Sequence, residues 1–200
     1  MQPEYPKRVK LKNGQAVTLR PLESSDEDDL IRFFASLPRE CTQFLKHNVR
    51  DPQVVRRFVR EADSDTVWCI LALADDGRVM GDATLHMHRM GWGRHVGEVR
   101  VVVDPTLHKQ RLAISLIREL LDHASARGLR RLKAEILDSQ TGARIALERM
   151  GFREEARLKN HALDYEDRVH DLLLLTTTVE DLWGRMEDLI TDLDMARDLF

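Results

Sequence analysis

Cysteine is scarce in this chain: two in 200 residues. Cys41 and Cys69 have neither the number nor the CxxC spacing of a zinc site, a redox pair or a disulfide framework. Ten glycines and six prolines leave no room for a flexible or Pro-rich linker, and no repeat or low-complexity segment is present. No apolar run approaches the roughly 20 residues of a membrane span. The opening MQPEYPKRVKLKNG carries charge without an apolar centre, so no secretory leader is expected. Neither sign of charge dominates: 31 basic against 34 acidic residues give a net charge of -3. That balance excludes a broadly basic surface for nucleic acid or membrane. What remains is an ordinary globular composition, 42% hydrophobic and 32% charged. At this length a single domain buries roughly 70% of its unfolded surface without staples. A cytoplasmic protein with no metal is expected.

The order of patterns is more informative. Val9, Leu11, Val17 and Leu19 alternate with polar residues around Asn13-Gly14, a strong hairpin signal because both turn residues tolerate positive φ. Ser24 with Glu27 fits a capping box for a helix carrying Leu30, Ile31, Phe33, Phe34 and Leu37. Asp51-Pro52 opens a second helix through Val54, Val55, Phe58 and Val59. The runs 67–73, 79–87 and 96–103 predict an antiparallel meander. After Asp104-Pro105 the period lengthens to that of a helix, with Leu112, Leu116, Ile117, Leu120 and Leu121 on one stripe and Gly128 as its stop. A strand at 132–137, a helix at 140–150 and strands at 152–158 and 169–178 follow. The order ββ, αα, βββ, α, β, α, ββ predicts an α/β fold with a mixed sheet. Beyond Thr178, Val179, Leu182, Trp183, Met186, Leu189, Ile190 and Leu193 recur at helical offsets. This last amphipathic helix either packs on its own domain or offers a homodimer or other partner interface.

The most informative stretch runs from Glu98 into the long helix. A strand ends in Val103-Asp104-Pro105, and a helix begins near Arg111, where unpaired N–H groups and the helix dipole suit an anion. This stretch resembles the acyl-CoA-binding motif of the GNAT N-acetyltransferase superfamily, Val-x-Pro-x-x-Arg/Gln-x-x-Gly-x-Gly/Ala before a long amphipathic helix. Val103, Pro105 and Ala113 match it, whereas His108 stands where Arg or Gln is usual and Arg111 where Gly is usual. Thr18-Leu19-Arg20-Pro21-Leu22 resembles the family's first strand, RIALERMGF (144–152) its penultimate helix, and 158–175 its closing hairpin. The resemblance covers residues 8–178 and implies a GNAT-like, mixed and mostly antiparallel central sheet flanked by helices. Residues 1–178 would form that domain, and 179–200 a C-terminal helical extension.

The resemblance also implies a chemistry: direct transfer of an acetyl group from acetyl-CoA to a primary amine, a protein lysine or a small molecule. It places the cofactor on the main chain of Val101, Val102 and Val103, on the loop and helix start His108, Lys109, Gln110, Arg111, Leu112 and Ala113, and on Gln140. Glu98 matches a strand glutamate used as base in protein-lysine acetyltransferases of the family. Its plainer reading is a solvent-facing strand carboxylate paired with Arg94 or Arg100. Deprotonating a lysine of pKa ~10.4 at pH 7 costs about 4.6 kcal/mol, so such a base has work to do. The family's tyrosine acid corresponds to Leu147, and Ser139 and Thr141 nearby are expected to cap their helix. These departures keep a second reading open, a degenerate CoA-binding regulatory or interaction module. His86 and His88 share a strand face without a third metal ligand. Trp92, between two glycines, either covers an acceptor site or lies on the surface.

Overall fold

The computed structural model describes residues 4–62 and 64–186. Among them the chain forms β1 (Lys7–Lys10), β2 (Ala16–Pro21), α1 (Glu27–Ser36), α2 (Arg39–Thr42), α3 (Pro52–Glu61), β3 (Val67–Leu73), β4 (Val79–His86) and β5 (Val96–Val103). There follow α4 (Leu112–Ala126), β6 (Arg131–Leu137), α5 (Thr141–Arg149), β7 (Arg153–Leu163) and β8 (Val169–Thr178). Residues 179–186 continue as α6. The strands make one sheet in the order β1-β2-β3-β4-β5-β6-β8-β7, in which β5 and β6 run parallel and the other pairs antiparallel. The sheet is thus mixed and mostly antiparallel, with helices on both faces. No helix among the described residues is long and apolar enough to cross a membrane.

Alternation along the strands decides which layer each side chain joins. Leu112, Leu116 and Leu120 of α4, one turn apart, bury against Ile70, Leu85, Val99 and Leu132 on one face. Leu30, Phe33 and Phe34 of α1 and Val55 and Val59 of α3 cover Cys69, Leu71 and Val79 on the other. Burying each such side chain contributes about 1.5–3 kcal/mol. Where β5 begins, Gly97 is required by close approach. A Cβ there would come within 2.7 Å of Leu85 and 2.8 Å of Leu129.

Local signals were met with some shifts. Asp51 caps α3 by accepting the Gln53 N–H at 2.9 Å, and Gly128, at φ +70, ends α4 with the paired bonds of a Schellman motif. The capping box expected at Ser24 and Glu27 lies one residue earlier. Asp26 accepts the Glu23 N–H at 2.8 Å, because its buried carboxylate is also gripped by both guanidinium nitrogens of Arg20 at 2.6 and 2.7 Å. Ser139 and Thr141 do not cap α5: Gln140 is the N-cap, without a side-chain bond to the helix. Strand β7 runs five residues beyond Leu158, an edge strand whose charged, exposed face hides its strand character. In α6, Leu182 and Met186 are buried in the domain's own core, and the Trp183 indole N–H donates to the Ser125 hydroxyl of α4 at 2.8 Å. Leu189, Ile190 and Leu193 lie outside the described residues.

One buried group stands apart from this packing. Asp82 of β4 is 5% exposed, its Oδ1 has no hydrogen-bond partner among the described residues, and the Thr84 hydroxyl is 3.5 Å from its Oδ2. Burial pushes its carboxyl up to about 7 from 3.8, with Thr84 opposing only in part. The folded state therefore holds this proton more tightly than the unfolded one. The stabilisation is complete below pH 4 and is lost as pH rises through 7. The uncharged isostere Asp82→Asn should gain on the parent as pH rises from 4 to 8, the difference growing by on the order of 4 kcal/mol. Melting curves at pH 5 and pH 8 test this, and a pH-independent difference would exclude it.

Candidate active site at the parting of two parallel strands

Strands β5 and β6 pair only at Val96↔Arg131, Gly97↔Leu132 and Glu98↔Lys133. Beyond Glu98 they diverge, and their facing edges carry no ladder bonds. Each strand remains anchored on its other side: β5 to β4 as far as Val103, and β6 to β8 as far as Leu137. The result is a wedge whose wall is the backbone of Val101, Val102 and Val103. All three valines are only partly buried. Val101 and Val103 turn toward the α4 layer, whereas Val102 turns toward the α1–α3 layer. Gln140 sits at the far tip of β6, where its Oε1 accepts the Leu137 N–H at 2.9 Å.

The loop between β5 and α4 shapes the wedge's open end. Asp104 fixes its first turn, accepting the Thr106 N–H at 2.8 Å and hydroxyl at 2.6 Å, and Leu107 is buried beneath it. Lys109 and Arg111 then adopt left-handed backbone, at φ 62 and 71. Arg111 replaces the usual glycine yet keeps a glycine-like conformation, at a cost of about 1–2 kcal/mol. The intervening Gln110 carbonyl accepts the Lys12 N–H at 3.3 Å, so the β1–β2 hairpin braces the loop. Among the described residues no hydrogen bond engages the N–H of Lys109, Arg111, Leu112 or Ala113. A 15-residue helix thus presents free N–H groups and its positive dipole end beside three cationic or titratable side chains, His108, Lys109 and Arg111. That combination suits a pyrophosphate.

On the α1–α3 face, at the vertex of the wedge, lies a cluster of charge. Glu98, whose side chain is 11% exposed, is held by Arg100 at 2.7 Å, Lys133 at 3.0 Å and Lys46 at 3.3 Å. Glu135 of β6 shares two of these cations, Lys133 at 2.6 Å and Lys46 at 2.7 Å. Burial alone would raise the Glu98 carboxyl, but Arg100, Lys133 and Lys46 outweigh it and hold it down at about 2. His86 stands opposite Glu98 in the β4–β5 register. Burial first, and Arg100 second, lower its imidazole to about 4, so it is neutral at pH 7. Glu98 is paired with Arg100 rather than Arg94, but it does not face solvent as the plainer reading expects. Arg94 instead donates to the Gly91 carbonyl at 3.2 Å.

Sequence reasoning did not find Lys46, Lys133 or Glu135. Lys133 and Glu135 sit two apart on β6, facing Glu98, a spacing that was available. Lys46 belongs to an aperiodic segment after α2 and gave no signal. Leu147 is buried in the main core, so the family tyrosine's place holds no proton donor. Trp92 is 95% exposed and lies on the surface.

The family description "Acetyltransferase (GNAT) domain" matches residues 16–153. No curated protein matches the chain. Among solved structures, RimJ of Mycobacterium smegmatis, in complex with CoA-disulfide, is similar with a TM-score of 0.75 and 20% identity over 92% of this chain and 93% of its own. The ribosomal-protein-S5-alanine acetyltransferase of Vibrio fischeri gives 0.71 and 15%, over 88% and 98%. The yncA protein of Salmonella typhimurium, solved with its cofactor acetyl-CoA, gives 0.68 and 18%, over 82% and 94%. These likenesses show a shared fold. With the family match spanning well over half its length, the chain belongs to the GNAT acetyltransferase family.

Proposed function

We propose that this protein transfers an acetyl group from acetyl-CoA directly to a primary amine. The observation that carries the reading is the wedge beyond Glu98, with a free β5 edge leading to the unpaired N–H groups at the start of α4. The main chain of Val101, Val102 and Val103 would pair with the amide-bearing arm of the cofactor. The free amides of Lys109, Arg111, Leu112 and Ala113 would take the pyrophosphate, with His108, Lys109 and Arg111 adding charge. The acceptor would arrive on the α1–α3 face, where Glu98 lies. The arriving ammonium first gives one proton to water. Its nitrogen then attacks the thioester carbon, the C–N bond forms, the C–S bond breaks, a second proton passes to water and the thiolate leaves. Among the described residues no nucleophile–base pair suggests a covalent acyl-enzyme.

Glu98 then orients the incoming ammonium more than it removes the proton. A carboxyl held at about 2 is a weak base toward a lysine of pKa ~10.4. An α-amine of pKa ~7.7–8.0 costs only about 1 kcal/mol to deprotonate at pH 7. The site therefore favours α-amines or weakly basic small amines over lysine side chains. A second reading, a CoA-binding module without turnover, is favoured by Leu147 and by the ion-paired state of Glu98.

Titration calorimetry with acetyl-CoA separates these readings from a protein that has lost the cofactor; no heat at millimolar cofactor would sink both. With binding in hand, release of free thiol across a panel of amines should be faster for peptide α-amines than for blocked lysine. Glu98→Gln should lower kcat/KM at least tenfold, and unchanged turnover would remove Glu98 from the reaction. Arg111→Gly should raise stability by about 1 kcal/mol, since glycine takes positive φ without cost. Acetyl-CoA affinity should hold or tighten in that variant, whereas weaker binding would make the guanidinium itself a ligand.

A further inference from the structure

The acceptor face already contains an amine. Lys46 Nζ stands 2.7 Å from Glu135 and 3.3 Å from Glu98, bridging two carboxylates that belong to the two diverging strands. Its origin differs from that of the cluster's other cations. Arg100 and Lys133 rise from β5 and β6 themselves, whereas Lys46 reaches in from the segment between α2 and α3. That segment is fastened around it. The Tyr165 hydroxyl donates to the Leu45 carbonyl at 3.1 Å, Arg168 donates to Gln43 at 3.4 Å, and Phe44 meets His170 edge-on at 5.8 Å. The backbone is thus tied down while the Lys46 side chain, 47% exposed, is the cluster's most solvent-facing member.

The charge balance gives this placement a consequence. Glu98 and Glu135 face three cations, Arg100, Lys133 and Lys46, with His86 and His47 beside them; burial lowers both imidazoles. An approaching ammonium finds no unpaired carboxylate and a surplus positive charge. Removing the Lys46 charge leaves two anions against two cations and vacates one position between the carboxylates. We infer that Lys46 occupies the acceptor-amine position in the free protein, and that an acceptor enters by displacing it from Glu98 and Glu135. The inference rests on the reading that acceptors approach over the Glu98 face. A tethered ammonium competes at an effective concentration of roughly millimolar, so it would filter out weakly bound amines and admit those with further contacts.

Binding of 1,4-diaminobutane, followed through the side-chain carboxyl resonances of Glu98 and Glu135, tests this without requiring turnover. Lys46→Met should bind the diamine at least fivefold more tightly than the unaltered protein, with both resonances shifting together. Lys46→Arg should restore the weak binding, and Lys46→Met combined with Glu135→Gln should lose the gain. Equal affinity in the unaltered protein and Lys46→Met, or shifts confined to other carboxylates, would overturn the inference. If acetyl-CoA binding and thiol release persist in that event, the acetyltransferase reading stands and only the role of Lys46 falls.

Discussion

A parallel strand pair that stops after three residues leaves two facing rows of backbone donors and acceptors without partners, and buried backbone groups are rarely left so. Everything else in the molecule is arranged around that interruption. The antiparallel anchoring of β5 to β4 and of β6 to β8 lets the two strands separate without fraying the sheet. Gly97 permits tight packing against Leu85 and Leu129 just before the parting. The α4 stripe of Leu112, Leu116 and Leu120 fixes the helix start beside the open end. The wedge is a built opening, since a rigid core holds each of its walls.

The loop at that open end explains how the chain departs from its family's glycine without losing the shape. Left-handed backbone is costly for arginine and lysine, and it persists only where the surroundings over-determine it. Here they do: Asp104 and buried Leu107 fix the entry, the Lys12 contact braces Gln110, and Leu112 is fully buried at the exit. Two strained residues in one loop beside free helix N–H groups mark a segment whose backbone geometry matters more than its side chains.

Much of this was legible in the sequence, and the rest was not for identifiable reasons. Strands buried on both faces and helices with a strong stripe declare themselves, as 67–73 and Leu112–Leu121 did. The capping residue slipped by one because a non-local partner, Arg20, decides which acid turns inward. β7 was cut short because an exposed edge strand is charged by necessity. The left-handed Arg111 is signalled only by the glycine that the resembled motif carries at its position, since arginine itself announces no positive φ. At the site, Glu98 was found through its strand position, but its electrostatic state depends on Lys46, 52 residues away in sequence. Periodicity is silent about contacts of that range.

That long-range contact bears on why family membership alone does not name an acceptor. The proton affinity of a strand glutamate is set by its neighbours, and here the cations outweigh burial. A carboxylate kept ionised is suited to greet an ammonium but poorly suited to strip it. On the proposed reading, the burden of deprotonation would pass to the acceptor's own acidity, which ranks α-amines above lysines by roughly the 3–4 kcal/mol separating their proton affinities at neutral pH. The same three cations that hold Glu98 ionised also leave a surplus positive charge beside it. On that reading, specificity would be written less in the wedge than in the ion pairs at its vertex, on the α1–α3 face.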